Sequence, residues 1–366
     1  MKFKKKVLWK ISFVIFIMIL INSYSGIQGG LERNITSNII PNIQTQFGKR
    51  LIIQRKLLIR SKGVITYNGR NISTDFELFY MNVSTNKLVD PLIHKHRYTS
   101  LRNTGTTCTE KHVFLLVLVY SATYKFDERH IIRKTFGSVS KFDNKLIKYV
   151  FVLGQTMNDT QQKEIEQESV KYRDIIQGNF MDSYRNLTYK RVFSLFWKSR
   201  FCYNVTYVIK IDDDITINIP VLIPYLSNKQ NKTKVLECFI LTKARPRRGK
   251  RNKWYTSPSD YPFATFPPYC AGPSSIMSLD FIQEMYEATT IMPFFWLEDV
   301  YGGGFLPWIS GVRIVHPKYY IKALRASLKD KPCHLFYINN SKNTNHSYVM
   351  WKNVQKTYKM SVSVDN

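Results

Sequence analysis

Residues 113–120 read VFLLVLVY, eight apolar residues without a break. A strand with one wet face alternates polar and apolar side chains, so an unbroken run of strand length needs cover on both faces. That requirement selects a sheet held between helical layers. The segments that follow can supply them. DERHIIRKTFGS (127–138) predicts a helix with Asp127 as its cap and Gly137 as its stop. KYVFVLGQ (148–155) reads as a strand and turn, and TQQKEIEQESVKY (160–172) as a helix with a charged face. NLTYKRVFSLFWKSRF (186–201) predicts a helix turning Leu187, Phe193 and Phe196 inward and its basic residues outward. VTYVIKI (205–211) is a further buried strand. The alternation predicts an α/β fold, a mostly parallel sheet flanked by helices, over residues 108–335, with a tail at 336–366.

The first 107 residues are of another kind. Lys2, Lys4, Lys5 and Lys6 precede an apolar stretch, 7–26, about 30 Å long as a helix and sufficient to cross a bilayer. No small-x-small cleavage site follows it, so it reads as an uncleaved signal-anchor. Residues 1–6 would then stay cytosolic and the rest would be lumenal, a single-pass type II membrane protein. Residues 27–107, rich in Asn, Ser, Thr and Lys, read as a lumenal stem with some strand content near 51–59. Nine Asn-x-Ser/Thr sequons fit that placement: Asn34, Asn71, Asn82, Asn158, Asn186, Asn204, Asn231, Asn339 and Asn345. Five widely spaced cysteines with no CxxC or Cys/His cluster argue against zinc and for one or two disulfides with an odd thiol. The 54 Lys+Arg against 26 Asp+Glu leave +28, which favours an anionic partner. A lumenal address makes nucleic acid a poor one.

Chemistry concentrates where the last buried strand ends, in YVIKIDDDITINIP (207–220). Adjacent Asp212, Asp213 and Asp214 repel one another, and in an open α/β sheet ligands bind beyond the carboxyl ends of the strands. Mn²⁺ or Mg²⁺ would relieve the repulsion, since hard cations take carboxylate oxygens and complete their shells with substrate phosphates. The plain alternative is an acidic turn capping the next element. DDDIT also fits the Asp-x-Asp-x-Thr of Asp-nucleophile phosphatases, but those carry it on their first strand, and three strand-like segments precede it in this chain.

From His112 to Pro317 six motifs occur in order: RHIIRKTFG, FVLGQ, EQESVKYRDIIQGNFMDSYRNLTYK, IKIDDDITIN, KWYTSPSDYPFATFPPYCAG and EDVYGGG. In this the chain resembles the lumenal β1,3-galactosyltransferases and β1,3-N-acetylglucosaminyltransferases, glycosyltransferase family 31. The resemblance implies a GT-A-like Rossmann-type fold, a Golgi membrane location, and metal-dependent inverting transfer from a UDP-sugar to a hydroxyl of a glycolipid or glycoprotein glycan. It implies Asp214 as a metal ligand, with His316 as a further one, and Asp212 and Asp213 placing the metal or ribose. Asp299 becomes the general base, with Glu298 beside it on the acceptor side. Arg133 is expected to steady the diphosphate, ahead of Arg129. Asp182 and Lys190 are donor-site candidates, and Trp254 and Trp296 are acceptor platforms. Gly302, Gly303 and Gly304 would let backbone approach a sugar. The basic run KARPRRGKRNK (243–253) reads as a solvated loop or a contact for donor phosphate or an acidic acceptor. Two departures stand out: Pro273, and Phe305 in place of the family's cysteine, which leaves Cys270 free or paired elsewhere, Cys333 being one choice. The other readings are a catalytically silent sugar-binding relative and, behind it, the phosphatase.

Overall fold

The computed structural model describes residues 66–67, 70–71, 100–102, 108, 112–229, 233–290, 292, 294–323, 332–338 and 345–360. The expected anchor and almost all of the stem lie outside them. Among the described residues no helix is long and apolar enough to cross a membrane.

Four strands form the centre: β1 (Val113–Tyr120), β2 (Lys145–Gln155), β3 (Ile175–Met181) and β4 (Val205–Asp212). β1 is buried along its whole length, as its sequence demands. They run parallel in the order β3-β2-β1-β4. Between them come α1 (Phe126–Lys134), α2 (Asp159–Tyr172) and α3 (Leu187–Phe201). Short elements follow: β5 (Ile215–Ile217), α4 (Ile219–Ser227), β6 (Val235–Glu237), β7 (Ser274–Ser278), α5 (Ile282–Ala288), α6 (Glu298–Val300), α7 (Leu306–Ile309), β8 (Arg313–Val315), β9 (Ile321–Ala323), β10 (Phe336–Ile338) and α8 (Asn345–Thr357).

The nine-stranded sheet continues past β4 through β7, β6 and β8, with β7 antiparallel to both β4 and β6. At the other edge Ser100–Arg102 runs antiparallel to β3. The sheet is therefore mixed rather than mostly parallel. The regular crossovers stop at β4: beyond it the strands are three to five residues long and are joined largely by irregular chain. Strand order reverses between β1 and β4, where Tyr120 lies opposite Asp212. That reversal opens a crevice at the carboxyl ends of the two strands.

Local chemistry accounts for most boundaries. Asn158 caps α2 by accepting from Gln161 N, and Arg173, left-handed at φ 52°, ends it. Asp127 is not a cap; it sits in the first turn of α1, where its charge suits the positive end of the helix. Cys108 pairs with Cys202 and Cys238 with Cys270, leaving Cys333 as the thiol without a partner. Cys270 is thus paired with Cys238, not Cys333. Loops of this size make each bridge worth roughly 4 kcal/mol. Among the sequons, Asn158 and Asn204 face solvent, Asn71 lies in a short strand and Asn345 opens α8. Asn186 donates to Met181 O at 2.8 Å. Asn34, Asn82, Asn231 and Asn339 are outside the described residues.

α3 departs most from expectation. Phe193 is buried, but so are Lys190, Arg191 and Lys198, which a simple amphipathic reading turns outward. Lys190 and Arg191 have carboxylate partners. Lys198 has no ion pair among the described residues, and burial pulls its pKa from 10.5 down to about 8. The unfolded chain therefore binds more protons, and the folded state carries a penalty on the order of 2–3 kcal/mol below pH 8, which fades as pH rises toward 10.5. Thermal denaturation of Lys198→Met should show a gain of several degrees at pH 7 that shrinks as pH approaches 10.

Candidate active site

The crevice is floored by Lys210. Its position in β4, two residues before Asp212, turns both side chains to one face of the strand. The ammonium is almost fully buried and donates to Asp212 Oδ1 at 2.6 Å and to Gly272 O at 2.5 Å. It lies 3.7 Å from Glu298 Oε2 and 4.8 Å from the centre of the Tyr120 ring. Burial alone would strip its proton, but Asp212, Glu298 and Asp299 outweigh burial and raise its pKa. Arg191 enters from α3 with Nε 2.7 Å from Glu298 Oε1.

Two cations thus meet three carboxylates. Burial by itself would raise Glu298, but Lys210 and Arg191 hold it below its usual value. Asp299 is left as the odd charge. Burial first, and then the neighbouring Glu298, raise it well above the ordinary aspartate value of 3.8. It retains a proton where Glu298 does not, a carboxyl poised to exchange one near neutrality. A Cβ at Gly272 would overlap the Asp299 carboxylate, so glycine is required for that strand entry to pass beside it.

The aspartate crowding is largely relieved by lysines. Asp212 is held by Lys210, and Asp213 Oδ1 by Lys125 Nζ from the loop after β1 at 2.6 Å. Among the described residues no ion pair within 4.0 Å engages Asp214, which faces solvent. One open carboxylate beside two neutralised ones suits a divalent cation that takes its other ligands from water and phosphate. No group of three His, Cys, Asp or Glu side chains is gathered for a metal among the described residues. His316 is bound differently from the rest: Nδ1 accepts from Ile240 N at 3.3 Å and its ring meets Phe239 edge-on at 5.2 Å.

The other candidates divide. Lys190 Nζ contacts both Asp182 oxygens at 3.0 Å and Ser121 O at 2.6 Å, while Asp182 Oδ2 accepts from Gly154 N at 2.7 Å. The pair ties together the chain ends after β1, β2 and β3. Arg133 holds Glu168 and Asp174 at 2.6–2.9 Å and stacks on Tyr172 at 4.0 Å. Arg129 is buried against the same Glu168. Both guanidinium forks are thus engaged with carboxylates of the protein itself. Trp254 is 42% exposed and donates to Tyr184 Oη at 2.6 Å. One face of Trp296 is covered by Arg185 at 3.9 Å. The glycine run does not approach open space. Gly302, Gly303 and Gly304 lie buried in a π turn, Tyr301–Phe305, against Arg191, Cys270 and Tyr269. A side chain at Gly302 would collide with the Arg191 side chain and crowd Glu298 Oε1. Phe305 packs on Phe295 at 5.5 Å.

Lys210, Arg191, Lys125, Tyr184 and Gly272 were not among the expected site residues. A lysine within an otherwise apolar buried strand is a signal, since it must find carboxylates. Nothing local marks Gly272 or Tyr184.

Comparison with known proteins identifies the family. The galactosyltransferase family model matches residues 127–318, more than half of the chain. Human beta-1,3-galactosyltransferase 5 is 35% identical over 211 residues, covering 58% of this chain and 68% of that one. Mouse beta-1,3-galactosyltransferase 1 is 35% identical over 214 residues, covering 58% and 65%. Among solved structures, the galactosyltransferase LgtC with donor and acceptor sugar analogs covers 68% of this chain and 98% of its own at TM-score 0.34 and 7% identity, too low to carry an argument. On the family match and these identities, the chain belongs to the galactosyltransferase family and is a hexosyltransferase.

Proposed function

We propose that the chain is an inverting, metal-dependent transferase. It moves galactose or N-acetylglucosamine from a UDP-sugar to a glycan hydroxyl on a lipid or protein, forming a β1,3 linkage. The carrying observation is the buried pair Glu298–Asp299: Glu298 is engaged by Arg191 and Lys210, while Asp299 has no ion pair among the described residues and lies against Gly272, just beyond the aspartates that end β4. Attack on an α-linked donor from its far face requires the acceptor hydroxyl to lose a proton, and Asp299 is the group tuned to take it. Glu298, kept ionised by Lys210 and Arg191, sustains the high proton affinity of Asp299. Asp214 would hold Mn²⁺ or Mg²⁺, which supplies charge neutralisation for the diphosphate leaving group. Lys125 and Lys210 fix Asp213 and Asp212 beside it, positioned to orient ribose or metal water. His316 serves as a further ligand on this reading, through the ring nitrogen not facing Ile240. A Golgi membrane location with a lumenal catalytic domain fits the two disulfides.

Four outcomes follow. Asp299→Asn should retain UDP binding in the presence of Mn²⁺ and lose turnover by roughly 100- to 10,000-fold; transfer at the wild-type rate would refute the base. Asp214→Ala should lose both transfer and the Mn²⁺ dependence of UDP binding by calorimetry. A base works when deprotonated, so kcat/KM should climb as pH rises through the Asp299 pKa, with its acid limb well above pH 3.8. Glu298→Gln removes a charge that raises that pKa, so the limb should move to lower pH.

A further inference from the structure

The run from Lys243 to Lys253 holds seven basic residues and no acidic one. Arg248 is spent inside the loop, with its guanidinium on the carbonyls of Thr256, Tyr261 and Phe263 at 2.7–3.0 Å. It holds the loop in shape. The other six side chains, Lys243, Arg245, Arg247, Lys250, Arg251 and Lys253, face solvent, and no ion pair within 4.0 Å engages them among the described residues. Six like charges on a shaped loop repel one another, which a flexible tail would relieve by spreading.

The loop is attached to the catalytic crevice at two points. Trp254 donates to Tyr184, and Tyr184 lies in the field of Asp299, Asp212 and Glu298. Tyr269 lies against Gly304, in the turn that follows Asp299, and feels the charges of Asp299 and Arg247. At the first point Trp254 and Tyr184 are 42% and 46% exposed, an open aromatic pair of the kind on which a sugar face stacks. Lys253 Nζ stands 4.8 Å and 5.0 Å from the two ring centres, and Arg185 lies one residue beyond Tyr184, over Trp296.

We propose that this corner is an acceptor subsite for an anionic glycan, one bearing sulfate or carboxylate on the sugar that stacks on Trp254 and Tyr184. The proposal rests on the transferase reading above. Its logic is electrostatic. An anionic acceptor moving toward Asp299 meets Asp214, the one aspartate of the triplet with no ion pair among the described residues, and a neutral acceptor needs no shield from it. The unpaired cations supply one at the rim, and charge of one sign near a cleft also raises the encounter rate.

The test compares a neutral disaccharide with its sulfate-bearing and uronic-acid forms. Transfer from radiolabelled UDP-galactose and UDP-N-acetylglucosamine is measured at two salt concentrations, and binding of the sulfated disaccharide is followed separately by calorimetry. The wild-type protein should favour a charged form by about tenfold in kcat/KM, with the preference shrinking as salt rises. Lys250→Gln/Arg251→Gln should reduce the charged-to-neutral ratio several-fold, a readout that folding losses leave untouched. The sulfate and carboxylate arms identify which anion is read. Equal rates on neutral and charged acceptors, or an unchanged ratio in the double variant, would overturn the subsite. So would a matching loss of UDP affinity, which assigns the loop to the donor, or a loss confined to sedimentation with phosphatidylserine vesicles, which assigns it to a membrane surface. Salt-sensitive binding of the sulfated sugar without any transfer would instead sink the transferase reading and leave the subsite standing.

Discussion

A single buried ammonium organises the catalytic end of this molecule. Removing a lysine from water costs several kcal/mol unless it is closely partnered, and Lys210 is partnered from three directions: its own strand, the Gly272 carbonyl and the Glu298 carboxylate. The last two partners lie far along the chain from Lys210, Gly272 by 62 residues and Glu298 further still. The need to satisfy one charge therefore fixes how the parallel half of the sheet, the antiparallel half and the Glu298 helix meet. Arg191 adds a second cation, and Asp299, raised first by its burial and then by the neighbouring Glu298, keeps an unusual proton affinity.

The same device recurs around the crevice. Lys125 pins Asp213, and Lys190 pins Asp182 while reaching Ser121 O. Each loop at the carboxyl edge of β1–β4 is thereby held by a lysine or by a carboxylate that a lysine holds. Preorganisation of this kind keeps charged groups in place before any ligand arrives. It also shows why a very basic chain does not present all of its charge outward. Part is absorbed in the floor of the site, and another part is displayed, unpaired, on the 243–253 loop.

What the sequence revealed was governed by short-range rules. The unbroken apolar run of β1, the strand before the aspartates and the body of each helix are set by period and burial, and the structure places them where those rules do; the ends of α1 differ, since Asp127 lies inside its first turn and the helix stops at Lys134. Asp299 and the aspartate triplet were singled out because the motifs bring family chemistry with them, and the structure gathers Asp212 and Glu298 around Lys210 with Asp299 beside them. The sheet beyond β4 was not, because its strands are three to five residues long and carry too little periodicity. The basic residues of α3 misled for a related reason. An amphipathic pattern assumes that charge seeks water, whereas Lys190 and Arg191 find carboxylates from other segments. Gly302 to Gly304 were chosen for close approach, but to Arg191, Cys270 and Tyr269 rather than to a sugar.

The Cys238–Cys270 bridge stands two residues before the Gly272 carbonyl that Lys210 requires, and Gly303 presses on Cys270 from behind. Catalytic geometry and thiol chemistry are thereby linked. The bridge anchors the turn that carries the Gly272 carbonyl, so the partner that Lys210 needs is delivered by a covalent staple as well as by packing.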